Sequence, residues 1–220
     1  MDLIKGIESR RSIRGFQGTP IPEETLQKII EAASNSPSYT NTQPWEVAIV
    51  SGKKKEDLSR LILDLASKKA EHHQDLPRPQ GWPPEHEKRA GQHGARRLAA
   101  LGVDRGDNAE REKLALMNYE FYGAPCAIFL FMDSRLNEWS IFDMGLFAHS
   151  LILAAQSFGL GSCLQASVTS YALEIKKFLG IPEGKKLIIG ISLGYPDDAA
   201  KLNKYRAVKE SPEVFTKWYR

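Results

Sequence analysis

The sequence predicts a single α+β domain spanning residues 1–220. Three observations carry that expectation. Helical and strand-like segments follow in the order α, α, β, α, a mixed stretch, then β, α, β, α, β, so the first third lacks strict βαβ alternation. An apolar fraction of 42%, with 9% aromatic residues, is that of a globular chain and excludes collagen-like, low-complexity and disordered classes. Size permits one sizeable core: the surface scaling rule leaves roughly 10,000 Å² exposed out of roughly 36,000 Å² for the extended chain.

The elements follow from local pattern. Leu3, Ile4 and Ile7 recur at helical spacing, and Leu26, Ile29, Ile30 and Ala33 do so again behind Pro22, a residue suited to a first helical position. Val47 to Val50 read as a strand, Lys53 to about His73 as a helix, and Leu76 to Pro84, rich in proline, as an irregular connection. From Glu85 to Leu116 charge is high, and Gly91, Gly94, Gly102 and Gly106 break the helical signal. Ala127 to Met132 is a continuous apolar strand, and Ser140-x-x-Asp143 reads as a variant capping box opening a long helix to Phe158. A strand over 161–166, a helix over 169–179 closed by Gly180 and Pro182, and a strand over 186–193 complete the pattern. The stretch 195–220 has little core pattern of its own beyond Val214, Phe215 and Trp218, which suits a tail wrapped around another subunit.

Thirty Lys and Arg against twenty-seven Asp and Glu leave a formal charge of +3, too small an excess for bulk nucleic-acid binding. Cys126 and Cys163 each lie in an apolar run, far apart in sequence, as buried thiols in a reducing compartment do. The opening residues MDLIKGIESRR hold no apolar stretch of signal-peptide length, and the apolar run Met144 to Phe158 falls short of the ~20 residues of a membrane span. A cytoplasmic protein without membrane association is expected.

Several motifs are set aside. Gly159-Leu160-Gly161 begins like a dinucleotide fingerprint, but Leu164 holds the third glycine position and the segment precedes a strand. His72, His73, His86 and His93 lack the partner spacing of a zinc site, so no metal is expected. No serine or cysteine stands in a nucleophile elbow. Two loops remain. Arg10, Arg11 and Arg14, interleaved with Ser12 and Gly15, read either as an anion-binding turn or as a solvated basic face after a helix. In the second loop Ser38, Thr40, Asn41 and Gln43 offer donors and acceptors on a backbone stiffened by Pro37 and Pro44; the alternative is a polar turn before a core tryptophan. A planar ligand with one phosphate and one polar heterocyclic edge would use both loops.

A third feature is the segment from about Glu71 to Tyr122, too charged to be core and too long for an idle connection. Trp82, Tyr119, Phe121 and Tyr122 near its ends and Arg96, Arg97 and Arg105 between them suit a cover that stacks an aromatic substrate and attracts its carboxylate or nitro group, the alternative being a surface excursion unrelated to substrate.

The sequence from Arg10 to Phe16, SPSYTNTQPW at 36–45, GAP at 123–125, GLGSCLQA at 159–166, LGYP at 193–196 and Asn203-Lys204-Tyr205-Arg206 together resemble the FMN-dependent nitroreductase family, in the branch with nitrobenzoate and other nitroaromatic reductases. The resemblance implies a nitroreductase-like fold, with a central, mostly antiparallel sheet flanked by helices, an intertwined homodimer and two FMN sites at its interface. It implies that NAD(P)H reduces the flavin and that nitroaromatic, quinone or related acceptors reoxidise it in a ping-pong cycle. Related members instead reduce activated alkenes, remove halogen from tyrosines or cleave flavin, and a non-catalytic flavin-binding protein is a further alternative. Carried over by position, Arg10 would meet the FMN phosphate, Ser12 and Arg14 the pyrimidine edge, and Arg11 belongs to the same loop. Pro37, Ser38, Tyr39 and Asn41, with Gln43 in the same loop, would come from the partner subunit. Backbone around Ala166 and Ser167 would face the hydride-accepting nitrogen, and Arg206 or Lys209 would supply a second phosphate cation. No catalytic side chain is implied, because the chemistry belongs to the flavin. Leu164 stands where many relatives have proline.

Overall fold

In the computed structural model, which describes residues 2–220, four strands pair antiparallel throughout: β1 (Glu46–Ser51), β2 (Cys126–Asp133), β3 (Gly161–Gln165) and β4 (Lys185–Gly194), in the order β1-β2-β4-β3. The continuous apolar run of β2 follows from its central place, because both faces of the sheet are covered. Cys126, Ile128, Leu130 and Met132 face one core with helices α2 (Glu23–Ser34) and α6 (Glu138–Ser157). Ala127, Phe129 and Phe131 face the other, built with α3 (Gly52–Ser67) and α7 (Ala172–Leu179). A bulge opposite Leu130 and Phe131 leaves Ile188 of β4 unpaired, so Leu187 points into the second core while Ile191 and Leu193 point into the first. Both thiols are buried and free, and burial pushes Cys126 up to about 12.

Helix α1 (Leu3–Ser9) forms as expected, capped by the Asp2 carboxylate accepting from Lys5 N–H at 2.9 Å. Four local expectations are corrected. The helix expected to reach His73 ends at Ser67, where Lys69 turns into the left-handed region (φ +53°) without a glycine. That turn lets His73 N–H donate to the Ser170 carbonyl and Asp75 meet the buried Lys176 ammonium at 2.7 Å. The charged stretch after residue 84 forms two helices, α4 (Pro84–Leu101) and α5 (Asn108–Leu116). Gly91 and Gly94 sit inside α4, where Pro84, Glu85 and Glu87 favour the first turn and Gly102, at φ +71°, closes the last. Ser140 and Asp143 do not cap α6: Asn137 does, its Oδ1 accepting from Trp139 N–H at 3.2 Å, and both residues lie buried within the helix. A 3₁₀ turn, Ser167–Tyr171, occupies the start of what reads as one helix over 169–179.

No helix among the described residues is long and apolar enough to cross a membrane.

Candidate functional site

The arginine loop lies where the N-terminal segment runs along β3 and the end of β4. Ile13 N–H donates to the Ser162 carbonyl and Gln17 N–H to the Tyr195 carbonyl, both at 2.9 Å. Two glycines permit this closeness: a Cβ on Gly15 would meet Ala200 Cβ at 2.4 Å, and one on Gly161 would meet Ile13 Cγ1 at 2.5 Å. From the tail, Asn203 locks the loop. Its Oδ1 accepts from Arg14 N–H at 2.7 Å, and its Nδ2 donates to the carbonyls of Gly15 at 2.7 Å and Asp197 at 2.9 Å. The Asn203 side chain is buried, so each of its polar groups is matched.

This clamp joins two sources of positive charge. Arg10, Arg11, Ser12 and Arg14 share one cavity of about 630 Å³ with Arg206 and Lys209 of the tail. The basic turn thus faces a cavity shared with the tail, although Arg11 itself is exposed. Arg206 also donates to the Glu8 carbonyl. At the floor, the Arg14 guanidinium lies beside the Tyr122 hydroxyl and the Cys163 thiol, both of which burial pushes upward. Arg14 Nε is buried without a hydrogen-bond partner. A charged donor in that state calls for an anionic or carbonyl acceptor from outside the chain.

Helix α4 contributes His93 to the cavity wall, its Nδ1 lying 3.0 Å from the Tyr205 hydroxyl. Burial, then the charges of Arg14, Arg97 and Lys209, hold this imidazole below its usual range. The unfolded chain therefore binds a proton that the folded chain refuses, and ligand-free protein should lose stability as pH falls below about 6.5, until the folded imidazole itself titrates. Melting temperatures measured against pH should converge for wild type and His93→Gln above that value and diverge below it. Parallel curves across the range would remove His93 from the account.

The second loop is placed apart from this cavity. Tyr39 N–H donates to Asp143 Oδ2 of α6 at 3.1 Å, and Ser38 Oγ accepts from Gln43 N–H at 3.0 Å. Thr40, Asn41 and Gln43 take positive φ, and the Tyr39 ring stacks on Trp139, with both rings largely exposed. Pro37, Ser38, Tyr39, Asn41 and Gln43 thus form a rigid, outward-facing loop that does not line the arginine cavity of its own chain. Ala166 and Ser167 follow β3, their carbonyls accepting from Arg78 Nη2 at 3.2 and 3.5 Å, while that nitrogen also donates to Ser170 Oγ at 2.6 Å.

Of the residues expected to meet substrate, Trp82 is exposed ahead of α4, and Arg105 lies in the turn between α4 and α5. Phe121 is corrected to a core residue: fully buried, it packs edge-to-face on Phe129, because a turn with positive φ at Phe121, Tyr122 and Gly123 sends the ring inward. Tyr122 is also largely buried, its hydroxyl donating to Asn118 Oδ1 at 2.8 Å. Both rings expected to meet substrate are thus buried in the chain, with Tyr122 beside Arg14. Asn203, Asp143, Arg78 and His93 were not singled out for the site. Asn203 opens the Asn-Lys-Tyr-Arg run, whereas Asp143 and His93 enter the sequence reading only as a capping residue and a discounted metal ligand.

Comparison with known proteins adds to this geometry. The sequence pattern of the Nitroreductase family matches residues 7–195. The chain is 33% identical to the 4-nitrobenzoate reductase of Pseudomonas putida over 215 residues, 98% of this chain and 94% of that protein. It is 35% identical to nitroreductase NfnB of Mycolicibacterium smegmatis over 219 residues, 99% and 92% of the two chains. The fold superposes with a TM-score of 0.94, across the whole of both chains and at 33% identity, on the crystal structure of the FMN-dependent nitroreductase NfnB from Mycobacterium smegmatis in complex with NADPH.

Proposed function

Because the chain belongs to the nitroreductase family, we propose that it is an FMN-dependent enzyme using NAD(P)H to reduce nitroaromatic, quinone or related acceptors. The observation that carries this reading is the buried, unpartnered Arg14 Nε at the floor of a cavity lined by four further cationic side chains. That donor set fits FMN: Arg10, Arg11, Arg206 and Lys209 suit its phosphate, and Ser12 with Arg14 suits the polar edge of its ring. Bound FMN supplies the hydride transfer, which explains a site without a nucleophile or an acid–base pair. Arg14 offsets negative charge arriving at that edge, in surroundings that Tyr122 and Cys163 keep dry. The turn at Ala166 and Ser167, braced by Arg78, would present its backbone to the hydride-accepting nitrogen of bound FMN.

The test begins with colour and FMN titration. Purified protein should be yellow, and Arg10→Ala should weaken FMN retention by one to two decades, since a charge-assisted contact contributes about 1.5–3 kcal/mol. Steady NAD(P)H oxidation with nitrobenzoate, with product mass identifying reduction of the nitro group, distinguishes this activity from alkene reduction, dehalogenation, flavin cleavage and simple flavin storage. Colourless protein that ignores added FMN would sink the reading.

We further infer a homodimer in which the loop at 37–43 covers the partner's flavin. A single chain exposes 13260 Å², about a third more than the scaling rule gives for its mass. Much of the excess is apolar: Leu3, Ile4, Phe142, Phe215, Trp218 and Tyr219 are all at least 61% exposed. So many large apolar side chains left exposed on one chain suit an interface. Deleting Ser211 to Arg220 should lower the dimer fraction in sedimentation and release FMN in the same preparation; a monomer that holds FMN tightly would contradict the shared site. Helices α4 and α5 are assigned to the acceptor side, with Trp82 and Arg105 exposed for contact.

A further inference from the structure

We propose that the cleft between α4 and α5 is a phosphate-binding subsite for the nicotinamide dinucleotide that reduces the flavin. The cleft has a volume of about 570 Å³ and is lined by His93 and Arg97 of α4 and by Asn108 and Arg111 of α5. Its one acidic residue, Glu112, lies 3.5 Å from Lys69 Nζ. Neither Arg97 nor Arg111 pairs with a carboxylate among the described residues. Arg111 is nevertheless held in place, with Nη1 donating to the Arg105 carbonyl at 3.1 Å and to Asn108 Oδ1 at 3.3 Å. A guanidinium fixed by one nitrogen, with the others unused, is ready for a bidentate oxyanion contact.

Position supplies the second part of the argument. His93 lines both this cleft and the arginine cavity, and Arg97 follows one helical turn later on the same face of α4. The two spaces therefore share a wall. Arg97 is half-buried, and its charge reaches inward to His93, Tyr122 and Cys163. The arginine cavity has its own cations for the single phosphate of FMN, so the cleft cations are surplus to that ligand. A dinucleotide with its nicotinamide over the ring must lay its phosphorylated adenosine half outside that cavity. The chain lacks the glycine-rich loop at a helix N-terminus that usually receives such phosphates, since Gly161 begins β3 and packs against Ile13. Arg97 and Arg111 are unpaired cations next to the site, and Arg111 is held in place.

The inference rests on the proposed flavin chemistry, and its test uses fragments without nicotinamide. Holoprotein is titrated calorimetrically with 2′,5′-ADP and separately with 5′-ADP. Wild type should bind at least one, and Arg111→Ala should weaken that binding roughly tenfold or more. Arg97→Gln, a change that leaves α5 untouched, should do the same if Arg111→Ala folds poorly. An effect confined to 2′,5′-ADP identifies the 2′-phosphate of NADPH as the ligand group, an effect confined to 5′-ADP identifies the pyrophosphate, and an equal effect on both identifies the 5′-phosphate that the two fragments share. FMN content, measured by absorbance in every preparation, should be unchanged. If FMN is retained and NADPH bleaches it, yet the fragments fail to bind or bind all variants equally, the subsite is wrong and the flavin reading stands. If no preparation holds FMN, the flavin reading has failed first.

Discussion

Asn203→Ala is expected to cost about 3 kcal/mol of stability and to weaken FMN retention by a decade or more. The change leaves Arg14 N–H without a partner, which costs about 1–3 kcal/mol for a buried group, and removes one of two donors from the Gly15 and Asp197 carbonyls, which keep Asp197 N–H and Ala200 N–H. Because the same side chain joins the loop of Arg10 to Arg14 to the tail carrying Arg206 and Lys209, its loss should separate the two halves of the cation set. Asn203→Asp is the diagnostic control. It keeps the acceptor for Arg14 N–H but sets a carboxylate oxygen against two carbonyls, so it should be no better tolerated than alanine. Denaturant midpoints and FMN titration measure both effects, and an Asp variant with wild-type behaviour would refute the clamp.

Phe121→Ala should destabilise the chain by about 3–5 kcal/mol, the usual range for emptying a fully buried aromatic site. The ring does more than fill space. Phe121, Tyr122 and Gly123 hold φ of +53°, +54° and +77°, and such a conformation at the two non-glycine residues costs about 1–3 kcal/mol each unless the surroundings enforce it. The Phe129 contact and the Tyr122–Asn118 hydrogen bond are what enforce it here. The turn is also coupled to the sheet: Gln165 Nε2 donates to the Asn118 carbonyl at 2.8 Å, and Gln165 Oε1 accepts from buried Ser192. Phe121→Leu, which keeps most of the volume, should lose markedly less. Equal, small losses in urea unfolding for both variants would show that the ring is not needed to hold the turn.

Much of the fold was legible because it is written in local pattern. The apolar run at 127–132 and the helical spacing around Ile29 placed a strand and a helix correctly, since each is decided by the face it buries. The arginine loop was legible as clustered charge. Helix α4 was obscured by Gly91 and Gly94, because a glycine weakens a helix by only about 1 kcal/mol and good termini outweigh that. Asp143 and Asn203 were invisible as anchors, their partners lying 104 and 189 positions away. Phe121 was misjudged because the charged sequence before it suggests a surface excursion, whereas its left-handed backbone turns the ring into the core.

The distance between Arg14 and Asn203 also has a temporal meaning. The arginine loop leaves the ribosome near the start of synthesis, and its clamp follows 189 residues later, roughly 10–40 s at ordinary elongation rates. Through that interval the guanidinium groups have neither their backbone anchor nor the tail that completes their cavity. On the proposed cofactor site, phosphate recognition would wait for the end of translation, and a chain terminated before Asn203 should fail to retain FMN.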